Sequence, residues 1–574
     1  MSAVSDGQPE KTAAADRQEP DPADSGLDTG LDTERISVRA LVEFILRSGD
    51  IDDRIGRGFA DLQAMHLGSR LHRKIQKSMG SNYQAEVPLA GFFGCGDFQI
   101  CVEGRADGIL TDEKGVMIDE IKGIRRSLEH LEEPAPVHLA QAKCYAYLYG
   151  RDQGYGLPSS ESGQPSSEAG WPSGPASIRV RLSYANLETE EMKYFTFSYS
   201  FCELEQWFTG VLDEYRKWAA FSREWRMQRN ASIRRTVFPF PYREGQRDLA
   251  AAVYRTIVHE KLLFIQAPTG TGKTLSTVFP AVKAMGEEKG ERIFYLTART
   301  IARTVASEAF AQLRGTGLRI KTVILTAKEK ICPLETTRCN PDDCPYAKGH
   351  YDRINSALFE LITQEDGFDR ERILEAAGKY MVCPFELSLD LSSWMDAIIC
   401  DYNYVFDPQA KLKRFFGEGV RGDYLFLIDE AHNLVERGRE MYSASLTKES
   451  FLNLRKKVKG YSPELGRVLG QCNRKMLEQK KSLLEDSEKA PGENGDVTVR
   501  IRPQREETWK VITDLGTLPL TLLNLTGVME SFLEEGQKHS VPEEIRQEIL
   551  DLYFEVLTFL DVMGSAGEGY LFYE

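Results

Sequence analysis

At 574 residues the chain is too long for a single hydrophobic core, and 41% hydrophobic with 28% charged residues is ordinary for folded, water-facing protein. No run reaches membrane-span length, the N-terminus lacks the basic and apolar regions of a signal peptide, and ten cysteines over this length are no secreted disulfide framework. A cytoplasmic protein with no membrane partner is therefore expected; its net charge of -15 argues against wholesale coating of nucleic acid but leaves room for a local basic channel.

Residues 1–34 are acidic and poor in aromatics, a composition that reads as a disordered tail. From ISVRALVEFILRSGD a helical period begins. FQICVEGRADGIL, TDEKG and VMIDEIKG then alternate as a two-stranded hairpin over 96–122, and PVHLAQAKCYAYLYG follows as an amphipathic helix. The Pro/Gly/Ser tract 154–176 reads as a loop insertion. IRVRLSY and KYFTFSY form a second hairpin able to complete the first sheet, and a helix from about 203 to 228 leads to a domain boundary near residue 230.

Within this first domain, 35–230, Asp107 lies near the end of one hairpin strand, and Glu120 and Lys122 share a face of the other. Two carboxylates and a lysine so placed suit metal-assisted phosphodiester hydrolysis: Asp107 and Glu120 hold Mg2+ or Mn2+, and Lys122 orients and activates water. Charged residues on a solvated hairpin face are the plain alternative. His72, in GSRLH, is a candidate further metal ligand, and Gln141 and Tyr145 sit one helical turn apart on one face. GxxxH, GxxD, ExK and QxxxY, in this order, resemble the RecB-like nucleases of the PD-(D/E)xK class over roughly residues 36–225. The resemblance implies a nuclease, or a nuclease-derived DNA-binding domain, with Gln141 and Tyr145 supporting the site.

Further on, LLFIQAPTGTGKTLSTVF places an apolar strand at 262–265 before a Gly-rich loop that opens a helix. Backbone N–H groups of Thr269, Gly270, Thr271 and Gly272 can cradle the phosphates of ATP, with Lys273 reaching the β/γ oxygens and Thr274 holding Mg2+. YLFLIDEAHNL ends a second strand in Asp429, to hold Mg2+, and Glu430, to orient the attacking water. APTGTGKT with DEAH resembles the superfamily-two helicases, the XPD/DinG branch in particular. That likeness implies that Gln246 in FPYREGQ reads adenine and that Thr297 in IFYLTART lies near a DNA phosphate.

Cys332, Cys339, Cys344 and Cys383 are separated by six, four and thirty-eight residues and contain no CxxC knuckle of the kind zinc ribbons prefer. Four thiolates at irregular spacing suit a [4Fe-4S] cluster, with zinc and unliganded thiols as alternatives. Their place between the two nucleotide motifs resembles the iron–sulfur insertion of XPD/DinG helicases, here about 328–390. Replacing Cys339 is then expected to loosen the insertion and leave the distant nuclease-like domain folded.

After DEAH the sequence turns helical and leucine-rich, 441–574, where the resemblance implies an Arch domain. The family's second motor domain with its arginine finger is not recognisable, so it is expected in trans or in a longer reading frame, and this chain alone is expected to be a poor ATPase. The expected fold is α/β: a PD-(D/E)xK domain joined to a RecA-like P-loop motor, 231–440, with two insertions. The expected activity is ATP-driven translocation on single-stranded or forked DNA with cleavage of the fed strand, in repair or recombination. A nucleotide-switched DNA-binding scaffold with a dead nuclease is the rival.

Overall fold

A computed structural model describes residues 31–573 except 54–69, 125–127, 129–130, 156–176, 188, 269, 418, 490–510, 513–514, 536–540 and 568. The chain divides into two compact units: Met1–Phe294, Thr304–Ile399 and Asp423–Leu425 form one; Tyr295–Arg303, Cys400–Gly422 and Phe426–Glu574 form the other.

The first unit opens with β1 (Asp32–Ser37) and α1 (Val38–Ile45), followed by α2 (70–78), β2 (Tyr83–Gly94), β3 (Phe98–Asp112) and β4 (Gly115–Ile124). Then come α3 (Pro136–Asp152), β5 (Ser177–Asn186), β6 (Met192–Ser200) and α4 (Phe201–Arg235). The expected hairpins form: β3 with β4 and β5 with β6 are antiparallel, and β4 runs parallel to β5 to join them into one six-stranded sheet. The described part of the tail differs from expectation. Asp32–Ser37 pairs in parallel with Phe98–Glu103, and Asp32 and Glu34 are held by Arg223 and Arg226, so backbone and charge partners order residues that composition alone would leave loose. The core lies between the sheet and α1, α3 and α4, with Ile100, Val102, Ile118, Val180, Leu182 and Phe208 almost completely buried.

α4 also overruns the expected boundary. It starts with a Ser200–Glu203 capping box and continues to Arg235, so residue 230 falls inside it. Its first half packs Leu204, Phe208 and Leu212 into the sheet domain's core. Its second half packs on the elements that follow it: Trp218 meets Phe359 edge-on and Trp394 at a tilt, the Trp225 indole N–H donates to Asp396 at 3.0 Å, and Ile233 abuts Gly286. A fragment of residues 36–230 would expose Trp218 and Trp225, now 1% and 7% exposed. It is expected to aggregate while the full chain stays monodisperse, as size-exclusion chromatography will show; the smaller fragment is thus no test of nuclease activity.

Next come α5 (Gln246–Val258), α6 (Lys273–Gly286), β7 (Arg292–Leu296), α7 (Thr300–Gly315) and β8 (Thr322–Ile324), then α8 (Lys328–Ile331), α9 (His350–Gln364), β9 (Gly367–Phe368), α10 (Arg370–Tyr380), α11 (Pro384–Ser392) and β10 (Ala397–Cys400). With β11 (Tyr424–Ile428), whose start also lies in the first unit, they build a sheet ordered β11-β7-β10-β8-β9. Residues 262–265 depart from expectation. They belong to no sheet among the described residues, and Leu262 and Phe264 are 90% and 89% exposed. Four apolar residues specify strand propensity, but a strand also needs a neighbour, and none pairs here. The second unit is mainly helical, with helices Lys448–Val458, Pro463–Lys489, Leu518–Glu535 and Glu543–Gly564 as the leucine pattern implies. No described helix is long and apolar enough to cross a membrane.

Candidate functional site

The hairpin register sets Gly108 opposite Asp119, and its continuation brings Asp107 of β3 beside Glu120 of β4. Alternation along β4 sends Asp119 to one face and Glu120 with Lys122 to the other. Asp119, fully buried, accepts a bidentate pair from Arg181 at 2.9 and 2.8 Å and further bonds from Ser183 and Tyr83. That network fixes β4 between its neighbours and so fixes Glu120. Sequence reasoning passed over it, because nothing local marks Asp119 as paired with a residue on β5.

On the other face, Lys122 Nζ lies 2.8 Å from Glu120 Oε1, while Glu120 Oε2 is buried without a hydrogen-bond partner. Asp107 Oδ2 accepts the Ile121 N–H at 2.7 Å, and its Oδ1 lies 3.8 Å from His72 Nδ1 on α2. α3 presents Gln141, whose buried Oε1 is also unpartnered, and Tyr145. A Cβ on Gly104 would come within 2.8 Å of the Tyr145 hydroxyl, which explains the glycine of GxxD: the α3 tyrosine lies directly on the β3 backbone. His72, Asp107, Glu120, Lys122, Gln141 and Tyr145 thus come together. Gly68 of GxxxH lies outside the described residues.

Burial, followed by the neighbouring Asp107 charge, pushes the Glu120 carboxyl up to about 7 against a lowering by Lys122; Asp107 is raised as well, chiefly by burial. A buried and a half-buried carboxylate with an orphaned oxygen favour a cation, and the donor types suit a hard divalent ion. Among the described residues, however, no group of three or more His, Cys, Asp or Glu lies so that it could hold a metal ion as it stands. Without metal the folded state favours protonated Glu120, so its contribution to stability is lost as pH rises from the ordinary 4.5 through about 7. Glu120→Gln is expected to raise the melting temperature of metal-free protein at pH 8 and to leave it unchanged near pH 4.5. A pH-independent effect would refute this.

In the motor portion of the first unit, α6 begins at Lys273 after Gly270 and Gly272, both at positive φ (82° and 73°) that only glycine adopts without strain. Gln246 is 6% exposed, and both ends of its amide are in use: Nε2 donates to Thr271 O at 2.8 Å and Oε1 accepts the Arg243 N–H at 2.8 Å. Arg243 in turn donates to Gly270 O at 2.6 Å. Gln246 here braces the phosphate loop, and Arg243, unmarked by the motif, shares that work. Thr269 lies outside the described residues.

In the second unit, Asp429 and Glu430 follow β11. Glu430 takes a left-handed φ of 51°, and the buried Tyr402 hydroxyl donates to the carbonyls of Asp429 and Glu430, a brace the sequence did not announce. Thr297 is 1% exposed, and its Oγ1 accepts the Arg299 N–H at 3.4 Å, which helps close the turn after β7.

Of the four cysteines, Cys339, Cys344 and Cys383 share one apolar cluster, and Cys332, at the end of α8, is not among its members. Burial raises the Cys339 thiol and pushes Cys383 up to about 11. Three of the four thiols share this packing and the fourth sits outside it, and among the described residues no group of three or more Cys, His, Asp or Glu could hold a metal ion as it stands.

Residues 246–345 match the family model of the DEAD/DEAH box helicase, and residues 314–451 match DEAD_2. The chain is 22% identical over 262 residues to the regulator of telomere elongation helicase 1 homolog of Anopheles gambiae, covering 36% of this chain and 26% of that protein. The Homo sapiens regulator of telomere elongation helicase 1 is 23% identical over 259 residues, 37% of this chain and 21% of its own length. The Caenorhabditis elegans homolog is 22% identical over 350 residues, 53% of this chain and 33% of its own. The chain thus matches no more than 33% of the length of these relatives. A solved structure named XPD_Helicase superposes with a TM-score of 0.36 at 17% identity, covering 58% of this chain and 52% of that one. These matches give residues 246–345 a DEAD/DEAH box helicase region and residues 314–451 a DEAD_2 region.

Proposed function

We propose that the protein is an ATP-dependent DNA helicase–nuclease of repair or recombination, acting on single-stranded or forked DNA in the cytoplasm, with a second motor domain in cis or in trans. The nuclease half rests on one observation above all: the buried Glu120 beside half-buried Asp107, with an unpartnered Glu120 oxygen, flanked by Lys122 and His72. A Mg2+ or Mn2+ at Asp107, Glu120 and His72 would supply a polarised phosphate and an acidified water. Lys122 sets a positive charge beside Glu120, Tyr145 and Gln141 wall the site from α3, and buried Asp119 holds the strand still. Metal-dependent degradation of single-stranded DNA by the full chain, lost on substituting the carboxylates or the lysine, tests the reading. The scaffold alternative predicts DNA binding with no cleavage.

Within the first unit we assign the nucleotide phosphates to the glycine-rich loop and the start of α6, with Lys273 and Thr274 as the side chains that meet them. Cys339, Cys344 and Cys383, joined by Cys332, are assigned to a [4Fe-4S] cluster, to which four thiolates at irregular spacing are suited. The purified protein is expected to be brown with about four irons per chain, and Cys339→Ser to bleach it. One zinc and no iron would sink the assignment.

A further inference from the structure

The chain leaving α1 does not pass directly to α2. Residues 47–53 cross to the cysteine segment and are bonded to it at nearly every step. Arg47 donates to Asn355 Oδ1 at 2.6 and 3.0 Å and to Asp390 at 2.7 Å, and the Asn355 amide returns a bond to Phe44 O at 2.8 Å. Gly49, whose φ of 89° admits the turn, accepts the Tyr351 N–H at 3.0 Å and donates to Asp352 at 2.9 Å. The Asp50 carboxylate accepts the Gly349 N–H at 2.5 Å. Ile51 N donates to Ala347 O at 3.0 Å, and Asp53 N donates to Cys339 O at 2.8 Å. The Ile51 side chain, 3% exposed, packs with Cys344 and Ala347, with Cys339 and Cys383 alongside. Lys328 joins Asp53, 2.6 Å away, to the Cys339 thiol.

These contacts correct the picture of a cysteine segment distant from the N-terminal domain. We propose that residues 47–53 are a strap fastening the nuclease-like domain to the cysteine segment, so that the strap and the cysteine segment lose order together. The cysteine pocket is floored by Ile51 of the strap, and the strap has its backbone partners at Cys339 and Ala347, so neither is complete alone. The coupling is carried by protein atoms on both sides and stands whatever the thiols hold.

Coupling of this kind is reciprocal, and both directions can be read in the full-length protein. Ile51→Ala is expected to raise the alkylation rates of Cys339 and Cys344, followed by peptide mass spectrometry after chelation of bound metal, at least tenfold. Cys144, in the core of the sheet domain, should stay at its wild-type rate. In the other direction, Cys344→Ser should speed hydrogen exchange at the Ile51 and Asp53 amides while those of β3 and β4 stay protected. Unchanged rates at Cys339 and Cys344, or unchanged exchange at Ile51 and Asp53, would overturn the strap. If Ile51→Ala exposes Cys144 as well, the milder Asp53→Asn decides: selective labelling of Cys339 and Cys344 supports the proposal, and its absence overturns it.

Discussion

Asp107→Asn in the full chain should abolish metal-dependent cleavage of single-stranded DNA, a loss of about three orders of magnitude or more if several kcal/mol of transition-state stabilisation disappear. The asparagine is the informative choice. Asp107 Oδ2 accepts the Ile121 N–H at 2.7 Å, so alanine would orphan a backbone donor and cost about 1–3 kcal/mol of folding stability on top of any catalytic effect. The amide oxygen of asparagine can keep that bond while the charge is removed. Lys122→Ala should be comparably severe by a different route: it strips the cation 2.8 Å from Glu120, leaving the buried and the half-buried carboxylate with less compensation and the water without its orienting charge. Both variants should keep wild-type circular dichroism. Equal trace cleavage by wild type and both variants would mean that the domain binds without cutting.

What the sequence revealed of this site, and what it hid, divides by range. β3, β4 and α3 were readable because their signals are local: period two broken by TDEKG, then an i, i+4 pair at Gln141 and Tyr145. Convergence of His72 on Asp107 followed from motif order alone. Non-local pairings left no such trace. β1 meets β3 across about sixty residues, the strap meets the cysteine segment across about three hundred, and no periodicity in either partner names the other. Thr297 and Gln246 show a second limit. A motif gives the residue type at a strand or helix end, but which backbone groups its polar atoms bond depends on geometry. Here both residues bond backbone nearby. Residues 262–265 show a third: apolar β-formers earn a strand only with a partner strand beside them.

The largest effect on folding should come from Asp396→Ala. Asp396 is 4% exposed and lies where α4 meets the motor. Its carboxylate accepts from Trp225 Nε1 at 3.0 Å, Arg229 Nη1 at 2.8 Å and Lys321 N at 2.7 Å, all within the first compact unit. Arg229 is itself 9% exposed, so removing the carboxylate strands a buried guanidinium, an indole N–H and a backbone N–H together. Breaking one side of a buried ion pair costs about 3–5 kcal/mol, and water cannot readily reach these donors to reduce it. Trp225→Phe should cost far less through the same network, about 1 kcal/mol for the lost hydrogen bond, because no charge is stranded and the ring still lies under Lys321 Nζ, 4.0 Å from its centroid in the present structure. Asp396→Asn should fall nearer to alanine, since its NH2 must face at least one donor. Urea unfolding of the full chain, followed by far-UV circular dichroism, orders the three. A cost below about 1 kcal/mol for Asp396→Ala would mean that α4 is held to the motor by its apolar contacts alone.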